Sequence, residues 1–291
     1  MKPAPFTLHR PTTLEEAVAI LGDVADSGGL VIAGGQSLVP MMALRLAYPS
    51  DLVDINTVDA LDTVRVEEGR LAIGATVRHA AFHSPVVTGC LGRLLAAVSR
   101  HIAHYPIRTR GTFCGSLAHA DPASEWCLVA TTLDAEIRLM SVHGTRDLTA
   151  ADFFTGAMTT AREANELIVE ARLPLLPDQT AFGFYEFNRR AGDFALGMAL
   201  ATFVLRGGRI ADVRVGLGGI EETPRRLAAV ERLLMGKVPD ADLFEAASKA
   251  AIDEVDPMQD PVTSADYRRD LTAVVVRRAL QAADADRLKQ R

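Results

Sequence analysis

The feature that most constrains this chain is a glycine-rich stretch from Arg108 to Trp126, which reads RTRGTFCGSLAHADPASEW. Glycine lets a backbone approach a ligand closely, and Thr and Ser add short hydrogen-bond donors. Successive backbone amides in such a loop can form a concavity that binds anions. Glu125, near the end of the stretch, could accept hydrogen bonds from a sugar hydroxyl. The pattern therefore favours a nucleotide diphosphate over a bare phosphate as the ligand.

Another candidate binding loop, the first of the two in chain order, lies far upstream at residues 30–40, which read LVIAGGQSLVP. A short β-branched run breaks into Gly34-Gly35-Gln36-Ser37 and resumes as an apolar segment. A strand that leads into a glycine turn is a plausible phosphate-binding site. Either loop alone is more often an ordinary turn, because short motifs match by chance. The pair of loops, in this order, is the specific observation.

Composition restricts the class of protein. A chain of 291 residues, 48% hydrophobic and 23% charged, is typical of a soluble globular protein and long enough for two domains. A net charge of -6 argues against nucleic acid as the main partner. No run of about 18 uncharged apolar residues suggests a membrane span, and the N-terminus lacks the apolar core of a signal peptide. We therefore expect a cytoplasmic protein.

The residues that could carry metal or nucleophilic chemistry are few. The chain has three cysteines: Cys90, Cys114 and Cys127. Three cysteines cannot build a four-cysteine iron–sulfur cluster, so any such cluster must lie on another polypeptide. His119 and Asp121 lack a third ligand at a suitable spacing, and no serine lies in a nucleophile-elbow frame. We predict neither a metal site nor a catalytic side chain.

Hydrophobic periodicity predicts a mixed α+β fold in the first part of the chain. Thr13 and Glu16 predict a capping box that begins a helix, and this helix ends near Gly28-Gly29. A hairpin is predicted to turn at Glu68-Gly69. The other predicted elements are strands at residues 30–33, 52–55, 63–66, 70–73, 135–140 and 166–173, and helices at residues 77–82, 86–103 and 126–133. The strict βαβ rhythm of a dinucleotide-binding fold is missing.

Two prolines, Pro174 and Pro177, predict a boundary between domains at residues 1–176 and 177–291, because proline interrupts regular structure. Beyond this boundary, residues 182–187, 196–205 and 209–216 predict an antiparallel meander with a tight turn at Gly207-Gly208. Three helices are predicted to follow, at residues 224–235, 241–252 and 264–283.

Together the two loops resemble those of the FAD-binding medium subunit of the molybdenum hydroxylases, the xanthine dehydrogenase and carbon monoxide dehydrogenase family. Residues 33–40 match the family's A-G-G-x-S-L-x-P loop, and residues 108–125 match its R-x-R-G-T-x-G-G-x-x-x-x-A-D-P-A-x-[DE] loop. One departure is Cys114, which replaces the first glycine of the family's Gly-Gly pair. Residues 190–195 resemble the family's R-x-G-D-x-A segment, so the resemblance covers nearly the whole chain.

This resemblance implies a vanillyl-alcohol-oxidase/PCMH-type FAD-binding domain of two subdomains, followed by a C-terminal antiparallel sheet with a helical bundle. It implies FAD on this chain, molybdopterin cytosine dinucleotide on a large partner subunit and two [2Fe–2S] clusters on a small one, as a dimer of heterotrimers. Electrons would pass from molybdenum through the clusters to this FAD, and then to an external acceptor. The large subunit would hydroxylate the substrate, for which an N-heterocyclic aromatic is weakly favoured.

Carried over by position, the resemblance implies a set of FAD-binding residues. They are Ala33, Gly34, Gly35, Gln36, Ser37, Leu38, Ile102, Thr112, Gly115, Ser116, Ala118, His119, Asp121, Glu125, Val169, Tyr185 and Asp193. The two loops would hold the diphosphate, and Glu125 would bind the ribose of the adenosine half. The isoalloxazine ring would lie near Ile102, Val169 and Tyr185. For Ile102 and Val169 a core role is equally well supported, and Asp193 fits a turn acid equally well.

Cys114 is compatible with the diphosphate loop under two conditions. Its φ angle must stay negative, and its side chain must point away from the phosphates, because a thiolate beside a diphosphate is electrostatically disfavoured. We therefore expect Cys114 to pack in the interior.

Two other functions fit parts of the pattern. A self-sufficient flavoprotein dehydrogenase or oxidase would bind its own small substrate on this chain and be reduced by it. A nucleotide-binding or assembly module without redox turnover would be colourless when purified. The paired loops favour neither alternative over the electron-transfer subunit.

Overall fold

The computed structural model describes residues 2–290 of the chain as a mixed helix-and-sheet fold. Its strands are β1 (Thr7–His9), β2 (Leu30–Ile32), β3 (Asp51–Asp54), β4 (Val64–Glu67), β5 (Arg70–Gly74), β6 (Glu136–Ser141), β7 (Gly144–Thr149), β8 (Phe154–Gly156), β9 (Thr159–Thr160), β10 (Leu167–Pro174), β11 (Ala181–Phe187), β12 (Gly197–Arg206), β13 (Arg209–Gly218) and β14 (Arg225–Arg226).

The α-helices are α1 (Leu14–Val24), α2 (Leu38–Ala43), α3 (Gly89–Ser99), α4 (Tyr105–Arg108), α5 (Phe113–His119), α6 (Glu125–Thr132), α7 (Ala150–Phe153), α8 (Ala228–Leu234), α9 (Ala241–Asp253) and α10 (Ala265–Lys289). Within residues 2–290, no helix is both long enough and apolar enough to cross a bilayer.

The N-terminal half contains two larger sheets and a small hairpin. A three-stranded parallel sheet has the order β1-β3-β2, and a five-stranded antiparallel sheet has the order β4-β5-β10-β6-β7. The β4–β5 hairpin turns where predicted, since Glu68 and Gly69 both have positive φ angles, 50° and 74°. Helix α1 also begins as predicted, with the Thr13 hydroxyl accepting a hydrogen bond from the Glu16 amide at 3.2 Å. The Glu16 carboxylate closes the cap on the amide of Thr12 rather than that of Thr13.

The first hydrophobic core lies between the five-stranded sheet and helices α1, α3, α5 and α6. Its centre is an aromatic cluster in which the Trp126 ring lies 5.2 Å from Phe82 and 4.9 Å from Phe113, measured between ring centroids. All three side chains are fully buried. Because Phe113 begins α5 and Trp126 lies at the start of α6, this cluster anchors both helices of the glycine-rich stretch at residues 108–126, called the second loop below.

The second core lies between a four-stranded antiparallel sheet, of order β11-β12-β13-β14, and helices α8, α9 and α10. Strand β12 is shared between the two cores. Met198 and Leu200 contribute to the first core, whereas Ala199, Ala201 and Phe203 contribute to the second. Successive side chains of a strand face opposite sides, so a strand buried on both faces is continuously apolar.

Three local predictions were wrong. Residues 77–82 form no α-helix, because only a short 3₁₀ turn, His79–His83, is present. Strand β7 was not predicted, since its residues are almost all polar and exposed, as befits an edge strand. The first helix of the C-terminal half begins later than predicted, because β14 and a connecting residue precede α8.

Candidate functional site

A cavity of about 540 Å³ lies where the two glycine-rich loops meet, a volume within the usual range for a small-molecule site. All but two of the predicted binding residues line it. They are Ala33, Gly34, Gly35, Gln36, Ser37, Leu38, Ile102, Thr112, Gly115, Ser116, Ala118, His119, Asp121, Glu125 and Asp193. Two segments that are about 80 residues apart in sequence therefore share one cavity.

The first loop connects β2 to α2, and both of its glycines are structurally required. A Cβ atom on Gly34 would lie 2.3 Å from the carbonyl oxygen of Arg110, so only glycine allows the two loops to touch. Gly35 has a φ angle of +70°, which disfavours other residues. Ser37 precedes α2, and its hydroxyl makes no capping hydrogen bond there. The Ser37 hydroxyl can therefore bind a ligand.

The second loop runs into the short helix α5. The Thr112 hydroxyl caps this helix by accepting a hydrogen bond from the Gly115 amide at 3.0 Å. A Cβ atom on Gly115 would lie 2.6 Å from the same Thr112 oxygen, so the cap depends on glycine at this position. Ser116 and His119 follow on the helix and line the cavity.

A hydrogen-bonded chain of side chains ties the two loops together from behind. The Arg78 guanidinium donates to the carbonyl oxygen of Arg110 in the second loop and to the side-chain oxygen of Asn56. The Asn56 amide in turn donates to the carbonyl oxygen of Ala33 in the first loop, at 2.8 Å. Arg78 also forms a backbone bridge with Thr112. Neither Arg78 nor Asn56 lines the cavity, so their part in the site is to position the loops.

Cys114 meets both conditions set by the sequence. It lies inside α5, its φ angle is not positive, and its thiol donates toward the carbonyl oxygen of Ile73 at 3.5 Å. The side chain is 2% exposed, and burial raises the pKa of the thiol far above its ordinary value. A neutral, inward-pointing thiol is compatible with a diphosphate nearby.

Two buried carboxyl groups at or near the cavity, Glu125 and Glu186, have raised pKa values. Burial, followed by the negative charge of Glu186, raises the pKa of Glu125 to about 8. Burial also raises the pKa of Glu186, which is on β11, to about 7. The Glu186 side chain is 1% exposed, and its Oε2 atom has no hydrogen-bond partner; the His101 ring nitrogen lies 3.8 Å away. Glu125 is therefore largely protonated at pH 7 in the empty cavity.

Two predicted residues lie outside the cavity wall. Val169 packs in the first core, where its carbonyl oxygen accepts a hydrogen bond from the Ala75 amide, and the register of β10 against β6 shifts at this point. Its neighbours Leu167 and Ile168 line the wall instead. Tyr185 packs against the second core, with the Arg278 guanidinium 5.1 Å from its ring centroid. Neither residue is therefore among those that line the cavity.

Several lining residues were not predicted. Phe194 is a 76% exposed aromatic side chain at the cavity, one position beyond the predicted Asp193. Arg162 is the one arginine or lysine among the described lining residues. His79 lies beneath the second loop and is 5% exposed. Nothing in the sequence around His79 or Arg162 distinguishes them, since their neighbours at the site are distant in sequence.

Matches to family models establish the class of protein. Residues 4–176 match the family described as the FAD binding domain in molybdopterin dehydrogenase. Residues 182–283 match the CO dehydrogenase flavoprotein C-terminal domain. The chain therefore belongs to the FAD-binding medium-subunit family of the molybdopterin dehydrogenases, which are oxidoreductases.

Individual relatives agree along nearly the full length. The nicotine 6-hydroxylase medium subunit of Paenarthrobacter nicotinovorans is 38% identical over 94% of this chain and 96% of its own length. The structure of quinoline 2-oxidoreductase from Pseudomonas putida 86 superimposes with a TM-score of 0.93 at 36% identity, covering 99% of this chain and 100% of the other. Carbon monoxide dehydrogenase from Hydrogenophaga pseudoflava superimposes with a TM-score of 0.93 at 35% identity, covering 98% and 99%.

Proposed function

We propose that this chain is the FAD-carrying electron-transfer subunit of a heterotrimeric molybdenum hydroxylase. The observation that carries the proposal is the single cavity in which Gly34 of the first loop contacts the Arg110-Gly111 backbone of the second. A site assembled from backbone at close quarters suits an anionic diphosphate, which is stabilised by N–H donors. The family match identifies the nucleotide as FAD.

The residues of the cavity fit FAD in their chemical types. The first loop would bind the diphosphate through its backbone amides, together with the hydroxyls of Ser37 and Ser116, which line the cavity. Glu125 would hydrogen-bond the ribose of the adenosine half. Apolar side chains, among them Ile102, Leu167 and Ile168, would exclude water from the isoalloxazine ring. When bound, FAD supplies a centre that accepts electrons and passes them on.

The assembly and its finer architecture belong to the same proposal. A large subunit would carry molybdopterin cytosine dinucleotide and a small one two [2Fe–2S] clusters, in a cytoplasmic dimer of heterotrimers with an external electron acceptor. The ranges of the family matches support a division into domains near residues 176 and 177. We further propose that residues 1–176 form the two subdomains of a PCMH-type fold, which the separate three- and five-stranded sheets support.

The substrate class is proposed from the relatives. Nicotine 6-hydroxylase and quinoline 2-oxidoreductase are named for N-heterocyclic substrates, as is caffeine dehydrogenase, whose beta subunit is 36% identical. An N-heterocyclic aromatic is therefore the proposed substrate of the complex. Its binding pocket would lie on the large subunit, so this chain contributes no residue to it.

The test is an absorption spectrum of the purified full chain, recorded before and after anaerobic addition of quinoline or nicotine. The proposal expects flavin bands that stay oxidised with the chain alone and bleach only when the large and small subunits are co-purified. Bleaching of the isolated chain would place a substrate site here and support a self-sufficient flavoprotein. A colourless chain that fails to bind added FAD would refute both functions and favour a module without redox turnover.

A further inference from the structure

His79 is a buried histidine, and only one of its two ring nitrogens, Nδ1, has a hydrogen-bond partner among the described residues. The indole N–H of Trp126 donates to His79 Nδ1 at 2.9 Å. An indole nitrogen only donates, so Nδ1 must be the unprotonated, accepting nitrogen of the imidazole. A neutral imidazole then carries its single proton on Nε2. The geometry therefore fixes one tautomer and leaves Nε2 as a donor.

The surroundings of His79 keep the imidazole neutral. Burial, reinforced by the positive charges of Arg108 and Arg78, lowers the pKa of His79 to about 4. A protonated ring would also lose the Trp126 hydrogen bond, because both nitrogens would then be donors. His79 thus presents an uncharged N–H donor across the physiological pH range.

The second glycine-rich loop leaves room for this donor. The His79 amide donates to the carbonyl oxygen of Gly111 at 2.9 Å, which places the loop directly over the imidazole. A Cβ atom on Gly111 would lie 2.5 Å from Nε2, so any other residue would cover the nitrogen. His79 and Gly111 both line the cavity, and Gly111 lies where the second loop touches Gly34 of the first. Nε2 is therefore at the meeting point of the two loops.

We propose that His79 is a flavin-nucleotide-binding residue whose Nε2–H donates a hydrogen bond to a diphosphate oxygen. This inference rests on the proposed function, because it assumes that FAD occupies the cavity. A diphosphate oxygen is the acceptor favoured at this place, since the glycines of both loops converge there and let backbone and donor approach an anion closely. Trp126 acts through His79 as a positioning residue, holding the tautomer that makes Nε2 a donor.

The first experiment is a FAD titration of the deflavinated full chain by fluorescence quenching, with two variants. His79→Phe keeps an aromatic ring but removes the donor, and we expect FAD to bind on the order of 10- to 100-fold more weakly, as for loss of a hydrogen bond to a charged acceptor. His79→Gln can accept from Trp126 and still donate, so its affinity should stay much closer to that of the wild type. A His79→Phe chain that folds and binds FAD as tightly as the wild type would overturn the inference.

A second measurement does not depend on whether His79→Phe folds. In wild-type chain labelled with ¹⁵N-histidine, the His79 resonances should show the Nε2–H tautomer in the empty cavity, and FAD should shift the Nε2 proton downfield. Trp126→Phe should release the tautomer and lessen that shift. An Nδ1–H tautomer, or an Nε2 resonance that does not shift when FAD binds, would overturn the inference about His79 but not the proposed function. Failure of the wild-type chain to bind FAD would instead refute the proposed function.

Discussion

Replacing Glu186 with glutamine should change the free energy of unfolding of the FAD-free protein in a pH-dependent way. The value for the variant, minus that for the wild type, should rise as the pH rises. Glu186 is fixed on β11 with its side chain 1% exposed, and one carboxylate oxygen has no hydrogen-bond partner. The Asn188 amide donates to the other oxygen at 2.8 Å. Burial lowers the pKa of the nearby His101, which disfavours the charged ring that could act as a counter-ion. Ionised Glu186 is consequently disfavoured in the folded chain.

The magnitude follows from the difference between the folded and unfolded pKa values of Glu186. The ordinary value is 4.5 and the folded value about 7. Because the folded pKa is raised, the protonated group contributes stability that is complete below pH 4.5 and is lost as the pH rises to 7. A shift of about 2.5 units corresponds to about 3 kcal/mol, of which roughly 2 to 2.5 kcal/mol is lost between pH 5 and pH 8. Glutamine cannot ionise and removes this dependence.

Urea unfolding of the FAD-free wild type and the Glu186→Gln variant at pH 5, 6, 7 and 8 measures this difference. The free energy of unfolding of the variant, minus that of the wild type, should rise steadily across the series. Glu15→Gln, a change at an exposed position of α1, is the matched control and should give a flat difference. A flat or falling difference for Glu186→Gln would show that the carboxyl is solvated or paired in the folded protein, and would refute the reasoning.

Three further substitutions test how the cavity is built. Gly34→Ala should weaken FAD binding at least tenfold, since its Cβ would collide with the Arg110 carbonyl, whereas Gly156→Ala, with its nearest neighbour at 3.8 Å, should leave FAD titrations unchanged. Arg78→Met should raise the FAD dissociation constant, because it removes the hydrogen bonds that hold the two loops together. It should leave the oxidised flavin spectrum unchanged, because Arg78 does not line the cavity. A wild-type dissociation constant would show that these hydrogen bonds do not position the loops. Glu125→Ala should cost about 0.5–1.5 kcal/mol of FAD binding at pH 7, as for a neutral hydrogen bond, while Glu125→Gln should cost less; equal effects would assign the ribose contact elsewhere.

The elements that could be predicted from sequence are those whose determinants are local. The Glu68-Gly69 turn was predicted because the glycine of a tight hairpin turn readily adopts a positive φ angle, as Gly69 does. The capping of α1 by Thr13 was predicted for the same kind of reason. Strand β7 was missed because an exposed edge strand has no apolar alternation to reveal it. The glycine loops were found because a close approach of backbones leaves a sequence pattern of its own.

The parts of the site that could not be predicted from sequence depend on which face of a strand a side chain occupies and on contacts between residues far apart in the chain. Val169 was chosen, whereas Ile168 lines the cavity, and a β-bulge interrupts the pairing of β10 between residues 168 and 170. No single-sequence pattern locates such a bulge. His79 and Trp126 are 47 positions apart, so their hydrogen bond, which determines the tautomer, exists only in the folded chain. Arg78 and Asn56 were missed because they contact only the backbone of the loops.

The charges around the cavity explain why backbone and neutral donors matter so much here. Its wall includes Asp121, Glu125, Asp193 and Glu166, of which Glu166 is already paired with Arg146, and a diphosphate would add further negative charge. Arg162 offers little compensation, because its guanidinium already donates to the carbonyl oxygens of Glu163 and Glu166. Keeping Glu125 protonated removes one repulsive charge, and dense N–H donors must supply the attraction. Binding should therefore depend more on how closely the two loops approach each other than on any single charged side chain.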